Sequence, residues 1–301
     1  MKSSTALLSL LLLGGTPSTP VSSMGHHFAL VGAKGGREVR SEDGATSREY
    51  RLIWGDEFEV DGKPNPKNWT FEHGFVRNEE HQWYQPENAI CRDGKLIIEG
   101  RRERKLNPNY KENSGNWKEN RKHIEYTSSC LMTKGLHSWK FGRFEVKARI
   151  KTEKGLWPAI WFLGVEGEWP SNGETDLMEY YGGHIHANAC WGTKARWNAK
   201  WDSRKKPVKS FGDSKWDEKF HVWRMDWDSK SIKLYVDDQL LNTIDLTKTI
   251  NPTDRGPENP FHQPHYLLLN LAIGGSVGGD PSETPFPTRY EIEYVRVLQK
   301  K

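Results

Sequence analysis

Three carboxylates fall within six positions of GETDLMEYYGG, residues 173–183: Glu174, Asp176 and Glu179. Like charges held this close repel, so one acid keeps its proton at a pH where another is ionised. An acid beside a base is what cleavage of a glycosidic bond requires. A strand with a merely structural role would avoid the cluster, because burying an unpaired charge is costly. The spacing is two and then three residues, so a flat strand would turn the third acid away from the first two. One extra residue bulging out around Leu177 and Met178 resets the alternation and returns Glu179 to the face of Glu174 and Asp176. The two glutamate Cα atoms then lie roughly 13 Å apart along the strand. Their side chains can lean together to the carboxyl separation of about 5 to 5.5 Å used in retention; the inverting separation of about 6.5 to 9.5 Å stays open at this level.

Aromatic residues accompany the acids. GLWPAIWFLG, residues 155–164, places Trp157 and Trp161 just upstream, and Trp169 lies between them and the cluster. A flat ring stacks on the apolar face of a sugar, and the chain holds 14 Trp, 10 Tyr and 11 Phe, enough to build a core and still line a ligand cleft.

The elements that must carry these residues read as short strands. From Tyr50 onward, segments such as KLIIEG, GRFEVKARI, SIKLYVDD, QLLNTIDL, YLLLNLAI and YEIEYVRVL are β-branched and aromatic, with Gly, Asn, Asp and Pro between them. Phe144, Val146, Ala148 and Ile150 alternate with Arg143, Glu145, Lys147 and Arg149, the pattern of a strand with one buried face. Asp237 and Asp238 fit a two-residue hairpin turn. The polar stretch 104–123 is an insertion between strands. Neither a capped helical stripe nor an internal repeat is visible, so the expected fold is all-β: an antiparallel sandwich of the jelly-roll kind, in one domain over residues 48–301, with a concave substrate cleft.

Ahead of that domain, a short positive start and the apolar run ALLSLLLLGG give residues 1–23 the character of a signal peptide, and 24–47 that of a flexible linker. A secreted or periplasmic location follows as an expectation, and no later segment is apolar enough to span a membrane. Three cysteines, Cys91, Cys130 and Cys190, suggest neither a disulfide framework nor a zinc site, and are expected as buried free thiols. With 44 basic and 40 acidic residues, a net charge of +4, the chain is too balanced for a nucleic-acid binder. The basic run at residues 194–209 reads as a solvated loop, with contact to a hydroxylated or anionic polymer as its functional alternative. A monomer is expected.

WPAIWFLGVEGEWPSNGETDLMEYYGG resembles the active-site block of glycoside hydrolase family 16, in the E-x-D-x-x-E form that includes the bulge. RLIWGDEF, NEEHQWY, ENAICRDGKLIIEGRRE, WKFGRFEVKARI and HYLLLNLAIGG, with EYVRV, are similar to further blocks of that family in the same order, from about Arg51 to Leu298. The resemblance implies a nucleophile at Glu174, a general acid and then base at Glu179, and Asp176 holding Glu174 ionised and oriented. It further implies substrate contacts at Asn78, Arg143, Trp157, Trp161 and Gln263. Glu293 falls where some members hold a structural calcium, and no cofactor is needed for the chemistry. The implied partner is a β-glucan polysaccharide, cut internally at β-1,3 or mixed β-1,3/1,4 linkages. Two departures stand out: Thr175, at a usually aliphatic position, and Cys190, near where many laminarin-degrading members carry a histidine. The alternatives are a same-fold hydrolase of sulfated galactans, which would use the basic run, and a carbohydrate-binding protein without activity. Retention of all three acids argues against the latter.

Overall fold

The computed structural model describes residues 49–301, so the signal-peptide and linker expectations lie outside the described residues. In chain order the strands are β1 (Tyr50–Asp56), β2 (Thr70–Phe71), β3 (Gln82–Tyr84), β4 (Ala89–Arg92), β5 (Lys95–Leu106), β6 (His123–Ser128), β7 (Cys130–Met132), β8 (Gly142–Arg149) and β9 (Leu156–Gly164). They continue with β10 (Glu174–Tyr181), β11 (His184–Gly192), β12 (Ala199–Pro207), β13 (His221–Trp227), β14 (Ser231–Val236), β15 (Gln239–Asp245), β16 (His265–Ile273) and β17 (Thr288–Lys300). Helix is confined to single turns among the described residues, as the absence of any amphipathic stripe in the sequence requires.

These strands form two sheets. One has ten strands along the path β15-β14-β13-β8-β17-β5-β6-β3, with β1 and β4 at its margins; the other has seven, in the order β12-β11-β10-β9-β16-β7-β2. All pairings are antiparallel except β3 with β6. The jelly-roll sandwich read from the strand pattern is therefore the fold. Its main core lies between the sheets: Phe144, Val146 and Ala148 from β8 meet Ile160 and Phe162 from β9 and Leu267 and Leu269 from β16. The outward positions of β8, Arg143, Glu145 and Lys147, alternate with those core residues, as the period-2 pattern predicts. Asp237 and Asp238 form the two-residue turn joining β14 and β15, with Asp237 at φ 52°.

The seven-stranded sheet has a second, smaller apolar cluster on its outer face. Tyr84, Cys130, Ala159, Trp161, Tyr266 and Leu268 pack there under the segment that precedes β3. Strands β9 and β16 are thus covered on both sides, which is why they read as near-continuous apolar runs. Pro158 sits inside β9, where a missing N–H would ordinarily break a ladder. The β9–β10 pairing ends at Ala159 and Glu179, so Pro158 lies just past the ladder on that side.

One sequence expectation needs correcting here. The basic run is not a loop: its second half is β12, paired residue for residue with β11 along the edge of the seven-stranded sheet. Alternation turns Asp202 inward to Asn242 and leaves Trp201, Ser203 and Lys205 on the outer face.

Candidate active site

The outer face of the seven-stranded sheet is built in rows, because residues directly opposite on neighbouring strands share a face. Glu174 stands opposite Cys190 on β11 and Leu163 on β9; Asp176 opposite Asn188 and Trp161; Glu179 opposite His186 and Ala159. Register slips against both neighbours between Asp176 and Glu179, which is the bulge that the acid spacing demands. Leu177 and Met178 both enter the main core and are completely buried. Two consecutive residues facing inward bring the next one, Glu179, back to the outer face. Extended backbone ahead of Glu174 turns through Gly173 at φ 80°, where a Cβ would stand 2.8 Å from Pro260, so only glycine serves there.

Asp176 is buried between the two glutamates and hydrogen-bonds the carboxyl of each, so at least one proton is shared among the three. Burial, then the charges of Glu179 and Glu174, push Asp176 well above the ordinary carboxyl range, so it is the group that keeps a proton. Burial and the neighbouring Glu179 push Glu174 up to about 7. Burial pushes Glu179 up to about 7 as well, against three hydrogen bonds that favour its charged form. Each glutamate has its own indole donor: Trp169 Nε1–H donates to Glu174 Oε2 at 2.8 Å, and Trp157 Nε1–H to Glu179 Oε1 at 2.8 Å. Asn188 Nδ2 donates to Glu179 Oε2 at 3.2 Å and lies 3.4 Å from Asp176 Oδ2. The single O–H of a neutral Asp176 serves one glutamate at a time, and the one that receives it is held ionised and fixed.

Around this centre the anticipated contacts divide. Trp157 belongs to the site, as the donor to Glu179. Trp161 lies beside Asp176, but it is 8% exposed, its N–H is spent on Asn270 at 2.8 Å, and the Arg77 guanidinium covers its ring at 5.0 Å. Asn78 borders the site only indirectly, donating to Glu80 at 3.2 Å, while the buried Glu80 acts electrostatically on Glu179.

Arg143 is a correction: it sits on β8 of the other sheet, forked onto Asp226 at 2.6 and 3.0 Å and lying over Tyr50. It faces away from the core, so the whole sandwich separates it from the acids. Gln263 is a second correction. Its amide accepts from Glu166 N–H at 2.7 Å and donates to the carbonyls of Glu166 and Asn172, so it is a buried brace for the β9–β10 loop. That loop delivers Trp169 to Glu174, and Gln263 serves the site only through it. Glu293, where the resemblance implied a structural calcium, pairs with Lys147 at 2.9 Å. Among the described residues no group of three or more His, Cys, Asp or Glu could hold a metal ion.

Sequence alone assigns no role to Trp169 or to Asn188. The second was legible as the alternation His186, Asn188, Cys190 on one strand face; the first depended on a loop no periodicity describes. His186 stacks on Tyr181 with ring centroids 3.7 Å apart, and burial pushes it down to about 4, so it is neutral near pH 7. Cys190 is wholly buried beside the three acids, and burial and their charges push its thiol up. All three cysteines are free and buried.

Paired, indole-fixed glutamates bridged by a protonated aspartate on an open sheet face are the apparatus of a glycoside hydrolase. The chain belongs to glycosyl hydrolases family 16, whose model matches residues 87–296. It is 34% identical over 270 residues to the β-glucanase of Rhodothermus marinus, covering 83% of this chain and 85% of that one. Among solved structures, a laminarinase from the same organism superposes with a TM-score of 0.67 at 33% identity, covering 84% of this chain and 98% of that one. A structure from work on endo-acting O-glycanases, with which prominent members of the human gut microbiota initiate mucin breakdown, superposes with a TM-score of 0.75 at 35% identity, covering 84% and 92%.

Proposed function

We propose that the protein is a secreted, retaining endo-β-glucanase acting on β-1,3 or mixed β-1,3/1,4 glucans. The observation that carries this reading is the bulged strand that places Glu174 and Glu179 on one face with Asp176 hydrogen-bonded between them. A bridge one carboxyl wide supports the shorter, retaining separation of about 5 to 5.5 Å. Glu174 attacks the anomeric carbon while Glu179 gives its proton to the departing oxygen; the glycosyl ester on Glu174 is then hydrolysed by water that Glu179 deprotonates. Asp176 donates to Glu174 while it is an anion, and Trp169 supports the same state.

The test is hydrolysis of laminarin and barley β-glucan by the purified protein, with the first-formed anomer followed by NMR. Release of internal oligosaccharides with the β configuration supports the reading; an α product, or no cleavage of either polymer, ends it. Glu179→Gln should lower turnover by about 10² to 10⁴ while oligosaccharide binding persists. A second reading keeps the chemistry and changes the polymer to mucin-type O-glycans. It is favoured by the similarity to the O-glycanase structure and by the exposed Trp201 and Lys205 beside the acids, where an edge strand offers a ring and a cation. Mucin O-glycans, agarose and carrageenan in the same assay separate the polymers by which is cleaved.

A further inference from the structure

Trp161 holds the position of a sugar platform, one strand away from the acids, yet its ring is not free. Its N–H is tied to Asn270 Oδ1, and Asn270 in turn donates to Tyr84 Oη at 2.9 Å, which fixes the indole in one orientation. Over it lies the guanidinium of Arg77, from the segment preceding β3, 5.0 Å from the ring centre. Arg77 is held there by an ion pair with Glu72 and by the charge of Glu80, and the side chains of Arg77 and Glu72 are 14% and 15% exposed. It is also near enough to Glu174 to act on that carboxyl. The lid is therefore anchored, and it lies inside the glycan site.

We infer that Arg77 is a specificity-determining residue that closes the Trp161 ring to stacked pyranoses. The charge count argues for a neutral partner: Arg77 is balanced by Glu72, with Glu80 beside it, so little positive field remains for a sulfate. Strand spacing of about 4.8 Å sets Trp161 roughly one sugar from the bond that the glutamates flank. A flat-stacking glucose unit there competes with the guanidinium for the same ring face.

This inference rests on the proposed glycan-cleaving site, and its test is a binding measurement that does not require the wild-type chain to cleave any particular polymer. Laminarihexaose is titrated calorimetrically into Glu179→Gln protein with and without Arg77→Ala. Opening the ring should tighten binding about five-fold or more. Equal or weaker binding, including no binding to either protein, overturns the inference. Because Arg77→Ala leaves Glu72 unpaired, Glu72→Gln with Arg77→Ala in the same background keeps the question answerable if the first variant unfolds, and the same tightening is expected. Wild type inactive on laminarin together with tighter binding on removing Arg77 would end the glucan reading and leave the role of Arg77 standing.

Discussion

At the scale of single residues, the site is two glutamates with matching environments and different indole donors. Both lie near 7, and interacting carboxyls lose their protons in two steps that belong to the pair, so the singly protonated form peaks close to neutrality. The kcat/KM profile should be a bell centred near pH 7, measured on a soluble glucan. The indoles then distinguish the roles. Trp169→Phe removes a donor that favours ionised Glu174, raises that group, and should move the acid limb to higher pH. Trp157→Phe does the same to Glu179 and should move the basic limb to higher pH. Shifts of the opposite limbs would reverse the assignment of nucleophile and acid. Stability follows the same protons. The folded-state values of about 7 lie above the ordinary glutamate value of 4.5, so the native state binds more protons than the unfolded chain between them. The stabilisation is full below about 4.5 and is lost as pH rises to about 7. Thermal melts across that window should fall for the wild type and fall less for Glu179→Gln.

Elements decide which residues can cooperate. The bulge in β10 is legible from the acid spacing alone, because a period-2 strand cannot place Glu174, Asp176 and Glu179 on one face without an extra residue. The edge strand β12 is not legible in the same way: its charges suit a loop, and only pairing with β11 shows that Trp201 and Lys205 share the outer face with the acids. Trp201 is 42% exposed and stands in the row of Cys190 and Glu174, two strands from the nucleophile position. At about 4.8 Å per strand this is roughly two sugar units away. Trp201→Ala should therefore leave stability within about 0.5 kcal/mol, as exposed substitutions do, while raising KM on long glycans several-fold and hardly affecting short ones. Urea unfolding and a chain-length series measure the two halves; equal KM at every length removes Trp201 from the binding path.

For the whole molecule, the two sheets divide the work. The seven-stranded sheet carries the three acids on its outer face, and the ten-stranded sheet supports it through the shared core. Arg143 belongs to the supporting sheet, where its fork onto Asp226 is mostly shielded from water. Arg143→Ala removes the two short hydrogen bonds to Asp226, leaving it Arg224 at 3.7 Å, and should cost about 1–3 kcal/mol by chemical denaturation, with KM unchanged. A rise in KM at unchanged stability would return Arg143 to the substrate path. Gln263 shows the same division within one sheet: its position in the chain suggested a donor to sugar, but its amide is consumed by the backbone of the loop that carries Trp169.

What the sequence determined by itself was whatever local periodicity and side-chain chemistry fix: the strands, the sandwich, the bulge, the acid triad and the aromatic company of Trp157. Strand alternation assigns faces without reference to anything distant, and repulsion among three acids requires a chemical reason wherever they occur. Tertiary structure decided everything that depends on which sheet a face belongs to and which partner a polar group meets. Arg143 and Phe144 alternate as expected, but nothing local says that the outward face of β8 lies across the core from the acids. Trp169, Gln263 and Arg77 act from loops, whose conformation is set by distant carbonyls, carboxylates and rings instead of by a repeating pattern.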